Sequence, residues 1–522
     1  MKRRTLAPLS FFVLPLTAAA CGGSPPPPPA PPAPVASASS SSPPPAAPAP
    51  PSASGIWLGT LRGPKGGLRL QLRLDLAQTP PTCAIDSLDQ QAPGIPCTPT
   101  VTGSTVNLDV PAVHGSLQAT LSADGNTLDG TWSQGMALPL VLTRQASAIE
   151  VKPTPPPAMD AAMPPVDVAK IKDVMDKDLA AALASGELAP ATDGGVTIGV
   201  VQHGVRRIFS YGTVKPDSVF EIGSITKTFT GLLLAQSVQQ KKARLDEPVR
   251  ALLPAGTVAA PASGSEITLL DLSAQRSGLP RMPDNFHPAD QTNPYADYDK
   301  KALYAFIATH GVAMPAKLEF GYSNVGVGLL GQALAERAGT TYEALLRKEI
   351  TGPLGMRDTA IALTAPMRAR FAVGHDAEHK PAHAWDLDAL AGAGGIRSTA
   401  ADMLTYLEAQ LHPDHLARAV SATPEGKTLA AALAASHVVQ GEAMPGMHIA
   451  LNWFRVDESG SFWHNGGTGG YTAFALFNPD GDFALVVLCA FAGNRPFMDE
   501  LGAHVAQRLT GKPAVSLGPP SP

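Results

Sequence analysis

The chain has 522 residues, with 49 Gly, 52 Pro, 44% hydrophobic and 16% charged residues, a length that predicts two or three domains. Its 39 Lys and Arg against 44 Asp and Glu leave a formal net charge of -5; no basic run interleaves with aromatics, which argues against a nucleic-acid partner. No apolar run after residue 21 reaches the length of a membrane-spanning helix, which excludes a polytopic membrane protein.

Residues 1–21 have the three parts of a secretory signal. Lys2, Arg3 and Arg4 form the charged region, Leu6 to Leu16 the apolar core, and Ala18-Ala19-Ala20 the small-residue cleavage site. Cys21-Gly22-Gly23-Ser24 follows at once and resembles a bacterial lipobox, with Ala18 where Leu is usual. The expectation is an exported chain, lipid-anchored to a membrane at Cys21, or secreted if Cys21 is not lipidated. Residues 22–54 are rich in Pro, Ala and Ser and predict a semi-extended tether.

Residues 55–147 read as a small all-β domain. Leu68 to Leu76 alternates apolar and polar over nine residues, as a strand with one buried face does. Short strands follow near Val106–Val110, Leu117–Leu121, Leu128–Trp132 and Leu138–Leu142, with Asp124-Gly125 as a hairpin turn. The pattern predicts an antiparallel barrel or sandwich. Its Gly-x-Trp start and Gly-Thr-Trp near the end resemble lipocalin-like modules attached to exported hydrolases. Cys83 and Cys97 bracket a Pro- and Gly-rich loop, and in an exported chain they predict a disulfide. Cys489, inside an apolar run, reads as a buried strand residue.

A second Pro-rich linker (148–165) leads to a domain of alternating strands and helices (166–511), followed by a tail (512–522). Val196–Val201, Arg207–Tyr211, Phe474–Asn478 and Phe483–Cys489 read as strands. Phe229–Gln239, Val325–Ala338, Tyr342–Ile350 and Ala401–Gln410 read as helices, the last capped by Ser398 or Thr399 with Asp402. Strands at both ends predict one α/β sheet closed by the two ends of the domain. Several chemistries are missing: no His-Glu-x-x-His zinc site and no Gly-x-Ser-x-Gly elbow. Gly326 to Gly331 matches a dinucleotide fingerprint but lacks a preceding strand, so it reads as helix packing. His375, His379 and His383 are spaced by four, but Pro381 interrupts any helix, so a solvated loop is expected and no metal. No cofactor is expected either.

Ser224-Ile225-Thr226-Lys227 carries chemistry. At helical spacing Ser224 and Lys227 share a face, and a lysine of depressed pKa can take the proton of a serine hydroxyl. Alone the motif is weak. It is joined by Gly321-Tyr322-Ser323-Asn324 at a loop-to-helix junction and by His464-Asn465-Gly466-Gly467 before a strand pair.

In this order the three motifs resemble the serine β-lactamase and penicillin-binding-protein family. Tyr-Ser-Asn points to its class C branch, with D-alanyl peptidase and esterase relatives. Leu245 to Val249, Ser277-Gly278-Leu279-Pro280, Pro353-Leu354-Gly355-Met356 and Gly392-Ala393-Gly394-Gly395 match as flanks. The resemblance implies an α/β domain with a central antiparallel sheet and a helical subdomain. It implies Ser224 as nucleophile forming an acyl-enzyme, Lys227 as base, Tyr322 as proton shuttle and Asn324 as holder of the substrate amide. Gly466 and Gly467 would line the oxyanion site, with the N–H groups of Ser224 and Gly467 as its donors.

Two stretches depart from the family. His464 stands where many β-lactamases have Lys, and Asn465 where they have Thr; Gln275-Arg276 replaces a common His-Thr. With an ordinary pKa near 6.5, His464 would make carboxylate-bearing lactams bind better as pH falls. The expected partner is a small-molecule or peptide substrate, whether lactam, D-amino acid peptide or ester. The rival reading is a non-catalytic cell-wall or ligand-binding lipoprotein that keeps the fold.

Overall fold

The computed structural model describes residues 51–518 except 64–65, 114, 134–136, 153–157, 186–187, 189–193, 316–318, 421–422 and 494. The expected signal segment, Cys21 and most of the first tether lie outside the described residues. Among those described, no helix is long and apolar enough to cross a membrane.

The N-terminal domain is a nine-stranded antiparallel sheet. Its spatial order is Ala92–Pro96, Thr82–Ser87, Gly66–Asp75, Gly55–Gly63, Ala137–Gln145, Thr127–Ser133, Gly115–Leu121, Thr105–Val110 and Thr98–Thr102. The two outermost strands, Ala92–Pro96 and Thr98–Thr102, are consecutive in the chain with only Cys97 between them. Such a sheet has to curl back on itself, which makes it barrel-like. Alternation does the rest: Leu70, Leu72 and Leu74 turn inward with Trp57, Leu108, Leu117 and Trp132. Arg69 and Arg73 turn outward to pair with Asp89 and Asp86.

Cys83 and Cys97 form the expected disulfide, and the Cys97 N–H donates to the Cys83 carbonyl at 3.1 Å. The bond closes a loop of about 15 residues, worth roughly 3 kcal/mol in the chain-entropy account. Reduction should lower the stability of this domain by about that amount. Fluorescence of Trp57 and Trp132, both in its core, reports the transition; an identical unfolding curve with and without reductant would refute the cost.

The C-terminal domain is built on an eight-stranded antiparallel sheet. Its order is Val205–Gly212, Gly195–Gln202, Phe483–Cys489, Thr472–Asn478, Phe462–Gly467, Phe454–Val456, Met447–Ile449 and Gly441–Met444. The N-terminal strand Gly195–Gln202 thus pairs with the C-terminal strand Phe483–Cys489, as the sequence pattern predicts, and Val205–Gly212 forms the edge beside it. Both faces are covered, so the central strands are continuously apolar rather than alternating. On one face Val196, Ile198, Val200, Phe474, Leu485 and Val487 pack with the helix Arg495–Thr510. On the other face Ala475, Phe477, Val486 and Leu488 pack with the helices Thr226–Gln239, Asn324–Arg337 and Ala400–Leu411.

Thr226–Gln239 is buried from Thr226 to Gln236 on every side. Gly231 has a reason: a Cβ there would overlap the Leu451 carbonyl. Gly326 to Gly331 lies inside Asn324–Arg337, where Gly328 meets Leu390 and Gly331 meets Tyr342 and Gly392, which is helix packing as expected. Thr399 caps Ala400–Leu411, accepting from the Asp402 N–H. The helix expected over Tyr342–Ile350 is α-helical only to Leu346 and widens into a π turn, Arg347–Thr351. That turn ends two residues before Pro353, which has no N–H to continue a helix. Two residues from the expected linker, Met159–Asp160, pair with Ala514–Val515 from the expected tail.

The expectation of a solvated loop at His375 is corrected. His375 is buried, and its ring nitrogen lies 3.2 Å from the Ala490 carbonyl, while His379 stacks on Phe491. The apolar strand end at Ala490 and Phe491 draws in only the His375 end of the loop; residues 377–381 and His383 are exposed, as expected. Among the described residues, no group of three or more His, Cys, Asp or Glu is arranged to hold a metal.

Candidate active site

The strand Val219–Glu221 runs into a 3-10 turn, Gly223–Ile225, which continues as the helix Thr226–Gln239. Ser224 therefore sits at the start of a helix buried along most of its length, where the dipole favours developing negative charge. Gly223 has φ +51, and a Cβ there would come within 2.5 Å of the Gly467 nitrogen. At Gly466 a Cβ would overlap the Ile222 carbonyl. Glycines at these two positions let the strand Phe462–Gly467 lie directly against the serine turn.

Lys227 is fully buried. Its Nζ donates to Ser224 Oγ at 2.9 Å and to the Ala393 carbonyl at 2.6 Å. Burial holds its pKa well below the ordinary lysine value, and the positive charge of Arg281 lowers it further. A lysine whose pKa is lowered in this way gives up its proton more readily, and 2.9 Å is the distance at which its amine can take the hydroxyl proton.

The second motif is assembled by its middle residue. Ser323 caps the helix Asn324–Arg337, accepting from the Gly326 N–H at 2.9 Å, and donates to the Pro280 carbonyl at 2.6 Å. Tyr322 and Asn324 are thereby fixed on either side of the cap. Lys227 Nζ lies 4.9 Å from the Tyr322 ring centroid. Gln275, one of the departures from the family pattern, holds this turn. Its carbonyl accepts from Gly321 N–H at 2.6 Å, its Oε1 accepts from Ser323 N–H at 2.8 Å, and its Nε2 donates to Asn452 at 3.0 Å. Arg276 pairs with Asp271.

The third motif corrects one expectation. His464 is buried beside Phe454 and Tyr322, and its Nδ1 lies 2.6 Å from the Asn465 carbonyl. Burial, with the nearby Lys227, pushes its pKa down to about 3. The imidazole is therefore neutral between pH 5.5 and 8 and does not titrate against substrate charge there. Asn465 donates to both oxygens of Asp499.

Ser224, Asn324, Gly467 and Thr468 line one cleft together with Tyr295, Trp385 and Leu387. A buried ion pair stands behind it. Arg397 contacts Glu221 at 3.3 Å and Asp386 at 3.0 Å, and donates to the carbonyls of Trp385 and Ile361. Glu221 in turn accepts from the Trp385 N–H at 2.8 Å. Burial raises the pKa of Glu221, and Arg397 pulls it back. The pair ties the strand that delivers Ser224 to the loop that carries Trp385.

The structure thus brings Ser224, Lys227, Tyr322, Asn324, His464, Gly466 and Gly467 to one place. Sequence reasoning missed the Ala393 carbonyl, Glu221 with Arg397, the aromatic wall of the cleft and Arg281. The Ala393 carbonyl and Arg281 had a signal: Ala393 belongs to a matched flank, and Arg281 directly follows another.

This fold and this constellation define a serine hydrolase. The Beta-lactamase family model matches residues 187–510, and the chain belongs to that family. The D-alanyl-D-alanine-carboxypeptidase/endopeptidase AmpH of Escherichia coli strain K12 is 28% identical over 334 residues, covering 60% of this chain and 85% of the relative. A β-lactamase of Pseudomonas fluorescens is 28% identical over 296 residues, covering 54% and 74%. A solved class C β-lactamase shares the fold with a TM-score of 0.52 at 22% identity, over 63% of this chain and 94% of its own.

Proposed function

We propose that the protein is an exported acyl-transfer hydrolase acting through a covalent acyl-enzyme on Ser224. The observation that carries this reading is the contact of 2.9 Å between the buried Lys227 amine and Ser224 Oγ. Lys227 takes the hydroxyl proton as Ser224 attacks the carbonyl carbon, and the N–H groups of Ser224 and Gly467 receive the oxyanion. Tyr322 passes a proton to the leaving group and later takes one from water, Lys227 returns its proton to Ser224 Oγ as the acyl bond breaks, and Asn324 holds the substrate's amide oxygen. The names of the relatives support a D-alanyl peptide or a β-lactam as substrate, with a small ester as a further acyl donor. The signal segment and Cys21 support export with a lipid anchor, and the N-terminal barrel is read as a lipocalin-like module on the same stalk.

Incubation with a fluorophosphonate or a labelled penicillin should add one probe to the peptide that contains Ser224. Ser224→Ala should abolish the label. A variant labelled as well as the parent would sink the assignment.

A further inference from the structure

The family lysine of the third motif is absent, and its replacement, His464, is buried and neutral. The D-alanyl peptides and β-lactams proposed above carry a carboxylate, so to bind them the site needs a cation from elsewhere. Lys227 is buried and bonded to Ser224 and Ala393. Arg397 is occupied by Glu221 and Asp386, and Arg276 by Asp271.

Arg281 is different. It is exposed, and its guanidinium carbon stands 5.0 Å from the Tyr322 ring centroid. No carboxylate among the described residues forms an ion pair with it. Its backbone is stitched to the second motif: the Arg281 carbonyl accepts from the Asn324 N–H at 3.0 Å, and the preceding Pro280 carbonyl accepts from Ser323 Oγ at 2.6 Å. On its other side, Asn324 Nδ2 contacts Met282 Sδ at 3.6 Å. Three consecutive residues, 280 to 282, are thus locked to the residues beside Tyr322. A cation held in this way at the tyrosine is placed by the backbone, not by chance. Its charge is also close enough to Lys227 to depress that amine's pKa.

We propose that Arg281 receives the carboxylate of the substrate, supplying from the loop before the second motif the cation that the third motif lacks. The guanidinium fork accepts a carboxylate through two parallel N–H···O bonds, so it reads shape as well as charge. This assignment rests on the acyl-transfer reading and names its preferred substrates as anionic ones.

The test compares matched acids and neutral analogues: a chromogenic cephalosporin and its methyl ester, and a D-alanyl-D-alanine peptide and its C-terminal amide. The readout is the ratio of kcat/KM, acid over neutral, for each pair. Arg281→Gln should lower that ratio about ten- to a hundredfold, and Arg281→Lys should fall between it and the parent. Any effect passed through Tyr322 or Lys227 acts on both members of a pair and cancels. A ratio unchanged by Arg281→Gln overturns the proposal, as does a parent enzyme that turns over neither acid. Fluorophosphonate labelling of Ser224 separates the two levels. Labelling present with an unchanged ratio defeats only Arg281, whereas no labelling of the parent defeats the acyl-enzyme reading itself.

Discussion

Lys227→Met is expected to lower kcat/KM by about a hundred- to ten-thousandfold, the usual range for losing a general base, and at the same time to make the protein more stable at pH 7. The two effects have one cause. A lysine in the unfolded chain has a pKa near 10.4, whereas burial holds Lys227 well below its ordinary value in the fold. Between those two values the unfolded state binds the extra proton and the native state does not, so stability rises with pH across the window. Above the unfolded pKa the cost is gone; as pH falls toward the folded pKa it grows. Methionine fills a similar volume without that cost. The stability gap between Lys227→Met and the parent should therefore narrow as pH is raised from 7 toward 10. Thermal unfolding at several pH values measures it. If the methionine variant is less stable at every pH, Lys227 is held as a charged group by the fold, and the base assignment fails with it.

Arg397→Met is expected to destabilise the domain by about 3–5 kcal/mol, the cost of leaving a buried charge without its partner. Arg397 and Glu221 are both nearly inaccessible, at 5% and 3% exposure. Glu221→Gln should cost less, because burial already raises the carboxyl pKa and the amide keeps an oxygen for the Trp385 N–H. The sign of the pH dependence follows from that direction. A carboxyl whose folded pKa lies above its unfolded value is favourable below the unfolded pKa and loses that advantage as pH rises. Without Arg397 the carboxyl pKa rises further, so the penalty of Arg397→Met should shrink as pH approaches 4. Denaturant unfolding of the two single variants and the double variant isolates the pair. A penalty equal at pH 4 and pH 7 would show that Arg397 acts through its carbonyl contacts and not through Glu221.

Much of the fold was legible in local patterns. Period-two alternation marked the barrel strand at Leu68 to Leu76, and uninterrupted apolar runs marked the sheet core at Phe474 to Asn478 and Phe483 to Cys489, because a strand covered on both faces has no polar side to show. Ser224 with Lys227 was legible because three-residue spacing on a helix puts two side chains together whatever surrounds them. The order of the three motifs then supplied Tyr322, Asn324, Gly466 and Gly467 as candidates.

What surrounds these residues was decided only by the tertiary structure. A pKa depends on burial and on neighbours distant in the chain, so His464 looked like an ordinary titrating imidazole until Phe454, Tyr322 and Lys227 enclosed it. His375 looked like part of a solvated loop until the end of the Phe483–Cys489 strand came against it. Gln275 was an unexplained departure because its partners lie 48 and 177 residues away. Arg281 was one more charge after a proline until the cap at Ser323 held its loop beside Tyr322. Sequence by itself determined which groups could do chemistry and which stretches were strands or helices, since both follow from residue type and spacing along one element. Only the packing of separate elements decided which groups are neutral, which are paired and which face the cleft, because electrostatics and desolvation act through space and not along the chain.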